Sequence, residues 1–126
     1  MDLRLKTQVF PINGKSYVLR CNMNVLADVE LMHSGKLMEA LKSPGKLTVA
    51  KEFLAAMLND YADEMGWEER WTPQSLGREL SPTPANVTKM KDIVQDLVVS
   101  AILSDKAEEG SGEEAGEGKN QPATQS

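Results

Sequence analysis

Val9-Phe10-Pro11-Ile12-Asn13-Gly14-Lys15-Ser16-Tyr17-Val18-Leu19-Arg20-Cys21-Asn22-Met23-Asn24-Val25-Leu26-Ala27-Asp28-Val29-Glu30-Leu31-Met32-His33 is a hairpin that runs straight into a helix. Asn13-Gly14 lies between two β-favouring runs and can supply both positive φ angles of a two-residue type I′ turn. With that loop Ile12 faces Lys15, Phe10 faces Tyr17 and Val9 faces Val18. Phe10 and Tyr17 then share a face, and Leu19 and Cys21 follow Tyr17 at a period of two. Asn22 is the natural N-cap of the helix, because its side-chain oxygen can take a free backbone N–H of the first turn. Cys21 and Leu26 occupy the two positions of a hydrophobic staple. A two-stranded hairpin is marginal by itself, so the downstream helices are expected to carry it.

Working outward, the first helix from Met23 to about His33 places Val25, Leu26, Val29 and Met32 on one side and ends at Ser34-Gly35, where glycine suits a left-handed C′ position. A short helical piece from Lys36 to Leu41 contributes Leu37, Met38 and Leu41 before the break at Ser43-Pro44-Gly45. The long helix that follows is expected to be capped by Thr48 and stopped by Gly66. Ala50, Phe53, Leu54, Met57, Leu58, Tyr61 and Met65 form its apolar stripe, with Lys51, Glu52, Asn59, Asp60, Asp63 and Glu64 on the other side. Trp67 to Trp71 is a connector. Thr72-Pro73 is an N-cap with proline at the first helical position, opening a short helix to Leu80. The last helix, from about Pro84 to Ser104, aligns Val87, Met90, Val94, Leu97, Val98, Ala101 and Ile102. Before the first strand, which begins at about Thr7, residues 1–5 are expected to fray.

Two strands followed by several helices predict an α+β, mostly helical fold, with the N-terminal β-hairpin packed on a small helical bundle. Residues 1–105 are the expected globular domain. Residues 106–126 contain no Val, Ile, Leu, Met, Phe, Trp or Tyr, and are expected to be a disordered acidic tail, since nothing there offsets an ordering cost of about 1–2 kcal/mol per residue.

The formal net charge of −5 is unevenly placed. Two lysines against five glutamates give the tail −3, leaving 12 basic and 14 acidic residues in the domain. A nearly balanced body with an acidic tail argues against nucleic acid and against an anionic membrane surface, both of which require clustered Lys and Arg. The single cysteine, Cys21, has no intramolecular partner, so a reducing compartment is the simpler reading. No signal-peptide pattern opens the sequence and no run approaches about 18 apolar residues, so a soluble, cytoplasmic protein is expected.

Chemistry-bearing residues are sparse. His33 is the only histidine, so no His cluster or catalytic dyad can be completed, and at a helix end it is expected to interact with the terminal carbonyls. Cys21 is expected to be a buried, inert thiol. Asp60, Asp63, Glu64, Glu68 and Glu69 lack the loop pattern of a calcium site and read as a solvated face. No catalytic residue, cofactor-binding residue or metal ligand is therefore assigned, and an enzyme is not expected. Trp67 and Trp71 have two readings, as cover for the base of the core or as partner-binding residues at an interface, where tryptophan is enriched.

Ile12-Asn13-Gly14-Lys15-Ser16-Tyr17, Arg20-Cys21-Asn22-Met23-Asn24-Val25-Leu26, Leu58-Asn59-Asp60-Tyr61 and Leu76-Gly77-Arg78-Glu79-Leu80 occur in an order that resembles the small tail assembly chaperones of long, non-contractile-tailed phages and prophages, especially of Gram-positive hosts. The likeness covers about residues 9–104. It implies a non-enzymatic late protein of virion morphogenesis, working in the host cytoplasm and absent from the mature virion. Such a protein binds the tape-measure protein, keeps it soluble and helps recruit tail-tube subunits. The resemblance also implies self-association and a longer frameshifted form, for which Gly118-Lys119 marks a candidate slippery site. A chaperone of this kind needs an apolar groove for a client helix. The alternative in a different class is a structural head-tail connector or minor tail component. An acidic nucleic-acid mimic stands further back, because the domain is too evenly charged.

Overall fold

The computed structural model describes residues 5–111, with side chains as far as Leu103. Its elements are β1 (Gln8–Ile12), β2 (Lys15–Leu19), α1 (Met23–Met32), α2 (Leu37–Lys42), α3 (Leu47–Met65), α4 (Pro73–Glu79) and α5 (Pro84–Ser111). The fold is α+β, an antiparallel N-terminal hairpin with five helices.

Asn13 and Gly14 both take positive φ, 52° and 82°, and the register pairs Ile12 with Lys15, Phe10 with Tyr17 and Val9 with Val18, as the turn chemistry requires. Pro11 lies opposite Ser16. In a two-residue hairpin the pair flanking the turn is hydrogen bonded and the next pair is not, so the N–H that proline lacks is one the ladder does not use. Phe10, Ile12, Tyr17 and Leu19 are buried, while Val9 on the other face is exposed. Asn22 caps α1 through its side-chain oxygen, which accepts from the Val25 N–H at 3.0 Å. Thr72 and Ser75 form a reciprocal capping box on α4.

The hub of the molecule is α3, which packs against α1, α4, α5 and β2. Val49, Ala50, Phe53, Leu54, Ala55, Ala56, Met57, Leu58 and Ala62 are all buried along it. Its four buried alanines, at 50, 55, 56 and 62, fall on more than one side, so the helix is enclosed on more sides than a single stripe would require. Gly66 closes it in the left-handed conformation, φ 77°. From α5, Met90, Ile93, Val94, Leu97 and Val98 complete the core.

Several expectations are corrected. The N-cap of α3 is Lys46, two residues before Thr48, and it makes no side-chain cap bond. Met38, Met65 and Ile102 were expected in apolar stripes but are exposed, and Asn59, placed on the polar side, is buried. The left-handed turn after α1 begins at Ser34, φ 56°, and continues through Gly35. His33 does not turn its ring to the helix carbonyls; its Nδ1 lies 2.7 Å from Glu52 Oε1 and links α1 to α3. Helix α5 continues to Ser111, past the expected end at Ser104. At 1.5 Å per residue its 28 residues span about 42 Å, against about 28 Å for the 19 of α3. Beyond its buried run, Val99, Ile102 and Leu103 are exposed. The tail expectation for residues 112–126, including Gly118-Lys119, lies outside the described residues.

Candidate partner-binding surface

Three features of the surface carry polar or apolar side chains in unusual concentration. The first is an aromatic cluster where the hairpin meets α3 and the α3–α4 connector. Tyr17 of β2 sits edge-on to Tyr61, Trp67 and Trp71, with ring centroids 6.0, 5.6 and 6.3 Å away, and Tyr61 and Trp67 meet the same way at 5.6 Å. Each such pair adds about 0.5–1.5 kcal/mol beyond its buried area. Glu69 organises the polar rim. It accepts from the Tyr17 hydroxyl, from Lys15 Nζ at 2.6 Å and from Trp71 Nε1 at 2.8 Å, while Lys15 also lies over the Trp67 ring at 4.4 Å. Burial acts to raise the Glu69 carboxyl, but the hydrogen bonds from Lys15, Tyr17 and Trp71 outweigh it and hold the group below its ordinary range. Asn59 fastens the connector from beneath. Its Oδ1 accepts the Trp71 N–H at 2.7 Å and its Nδ2 donates to the Trp71 carbonyl at 2.9 Å.

Trp67 and Trp71, singled out from sequence, are thus each brought against Tyr17. Both are half-buried and packed against the core. The polar residues that fix them, Asn59 and Glu69, carried no sequence signal that separates them from the acidic and amide residues around them.

The second feature is an apolar groove of about 480 Å³. Cys21 and Asn22 lie at its edge, α1 supplies Met23 and Leu26, α2 supplies Leu41, α5 supplies Val98, Ala101 and Ile102, and Leu5 completes it. No local pattern could reveal it, because its walls come from segments separated by up to almost a hundred residues. The one available signal was that Leu26, Leu41, Ala101 and Ile102 all belong to apolar stripes of helix ends. Met23 and Ile102 are 78% and 46% exposed, so the groove opens directly to the surface.

A third feature is a cleft of about 670 Å³ on the other side of Asn22, lined by Arg20, Asn24 and Ala27 and by the carboxylates of Asp28, Asp60, Asp63 and Glu64. Arg70 reaches Asp63 at 2.6 Å and Arg20 lies 3.8 Å from Glu64. Among the described residues no group of three or more His, Cys, Asp or Glu side chains is arranged to hold a metal ion.

Cys21 is buried and its thiol is pushed up to about 11 by that burial, which keeps it in the poorly nucleophilic neutral form. Tyr17 is pushed up to about 12, first by burial and then by the hydrogen bond and charge of Glu69, with the Trp71 side chain acting weakly the other way. Both groups are neutral in the folded protein at pH values where the unfolded chain ionises them. The unfolded state therefore releases protons first as pH rises, and stability falls between about pH 9 and pH 12. A tenfold difference in ionisation constant corresponds to about 1.4 kcal/mol. Denaturant midpoints measured from pH 7 to 11 are expected to stay level up to about pH 8.5 and then decline, and Tyr17→Phe is expected to flatten the upper part of that decline. A midpoint unchanged at pH 11 would remove the burial of both groups as a source of stability.

Compared with known proteins, the chain has no significant match to a family model, to a curated protein or to a solved structure. Among the described residues no helix is long and apolar enough to cross a membrane.

Proposed function

We propose that the protein is a tail assembly chaperone that binds the tape-measure protein of a long-tailed phage or prophage in the host cytoplasm. It keeps that client soluble while tail-tube subunits assemble, and it leaves before the virion is complete. The observation that supports this reading best is the apolar groove between α1, α2 and the C-terminal half of α5. It is open, lined by flexible Met and branched aliphatic side chains, and of a kind that takes the apolar face of a client helix. The sequence resemblance over residues 9–104 supplies the identity of the client, and the inert state of Cys21 fits a protein that works by binding. Trp67 and Trp71 form a second surface for the tail-tube protein or for self-association. Their rings are already engaged by Tyr17, which leaves the groove as the first place to test.

Co-expression with the tape-measure protein of the same phage is expected to yield a soluble complex on size-exclusion chromatography, with this chain missing from purified particles. Ile102→Glu, at a position already half open to water, is expected to reduce recovery of that complex by at least about tenfold without changing the melting temperature by more than a few degrees. No complex, with the chain found in mature particles, would instead establish the structural connector or minor tail component.

A further inference from the structure

The groove and the acidic cleft are not separate places. Asn22 lines both, and it is fixed in position from two sides. Its Oδ1 accepts the Val25 N–H at 3.0 Å and its Nδ2 donates to Asp60 Oδ2 at 2.8 Å. On one side of this divider lie Met23, Leu26 and Ile102; on the other, α1 and α3 present Asp28, Asp60, Asp63 and Glu64.

Among the described residues the negative side is incompletely neutralised: two cations, Arg20 and Arg70, stand against four carboxylates, and Arg20 is no nearer than 3.8 Å to Glu64. Asp60 is met by the amides of Asn22 and Asn24, which carry no charge. The Asp28 carboxyl is raised above its ordinary range, first by burial, with Arg70 opposing and Asp63 and Asp60 adding to the rise. Burial is enough to raise a carboxyl, and the two aspartates nearby act in the same direction while Arg70 acts against it.

We infer that the groove and the cleft form one docking surface whose occupant is a helix of a partner protein, with its apolar face in the groove and a row of Lys or Arg along the flank that meets Asp28, Asp60, Asp63 and Glu64. This rests on the chaperone reading and specifies the client chemistry. Charge complementarity selects the occupant. A helix with an acidic flank is repelled by the cleft, and a second copy of this chain, at −5 net, brings the wrong overall sign. An arginine or lysine there replaces the solvent that now screens the carboxylates, which sets register as well as partner choice.

The test uses the full chain and two synthetic helical peptides of about 20 residues with the same Leu/Ala stripe, one flanked by Lys and one by Glu. Fluorescence anisotropy at about 50 mM salt is expected to show the Lys-flanked peptide binding at least about tenfold more tightly, and the preference is expected to shrink below about threefold at 0.5 M salt. D28N/D63N keeps both side-chain shapes and is expected to remove most of the preference. That result separates the cleft from the glutamates of residues 106–126, which the variant leaves intact. Ile102→Glu is expected to weaken both peptides.

Equal binding of the two peptides, or a preference that survives D28N/D63N, overturns the inference. So does a dimer of the chain alone that dissociates in Ile102→Glu, because the groove would then belong to a second copy. If the peptides fail to discriminate and the tape-measure complex still forms, the docking chemistry falls and the chaperone reading stands. If they discriminate and the complex does not form, the surface stands and the identity of its client falls.

Discussion

Tyr17→Ala is expected to destabilise the protein by about 3–5 kcal/mol, a large part of the stability of a domain this size. The ring is 2% exposed and touches Tyr61, Trp67 and Trp71, so its removal opens a cavity beneath the hairpin that rigid aromatic neighbours cannot close. It also takes one of the three donors from Glu69, leaving Lys15 and Trp71. Because the hairpin cannot persist without support, its detachment should accompany the loss, and thermal unfolding should fall by more than about 12 °C. Tyr17→Phe separates the two contributions. It keeps the ring contacts and removes the hydroxyl, for an expected cost of about 0.5–1.5 kcal/mol. A Tyr17→Ala melt within about 5 °C of the wild type would mean that Phe10, Ile12 and Leu19 hold the hairpin without the aromatic cluster.

Asn59→Leu is expected to cost about 2–4 kcal/mol, although leucine keeps the branching at Cγ and increases the apolar content of α3. The reason is the Trp71 backbone. Both its N–H and its carbonyl are satisfied by the one amide side chain, and leucine leaves the pair without a partner in a half-buried connector. Asn59→Asp should also destabilise at neutral pH, since a carboxylate can accept from the N–H but cannot donate to the carbonyl, and it brings a charge into a buried site. Denaturant unfolding of the pair checks this. If Asn59→Leu proves as stable as the wild type, water or a shifted connector satisfies Trp71, and the amide is not what holds the tryptophans against the core.

The two substitutions bear on the surface proposed for binding. Asn59 and Tyr17 hold the connector that carries Trp67 and Trp71, whereas the groove depends on α1, α2 and α5. Variants of the first group are therefore expected to affect client binding through loss of folded protein, and Ile102→Glu through the contact itself. Comparing soluble yield with complex recovery tells these apart.

The sequence by itself determined the features whose causes are local. The Asn13-Gly14 turn required positive φ at both residues, and the hairpin register followed from its two-residue length. Asn22, Thr72-Pro73 and Gly66 marked helix ends because each can supply a hydrogen bond, a backbone angle or both at one position. Tertiary structure decided which side chains those helices bury. Periodicity identifies a face, but it does not say how far along that face a neighbouring element reaches, and Met38, Met65 and Ile102 are left exposed on theirs. Asn59 is the converse case, a polar residue enclosed because the connector folds back over α3 and offers it two backbone partners. The groove and the cleft belong to the same class. Each is assembled from elements distant in the chain, and their junction at Asn22 exists only because a residue chosen to cap one helix also meets a carboxylate on another.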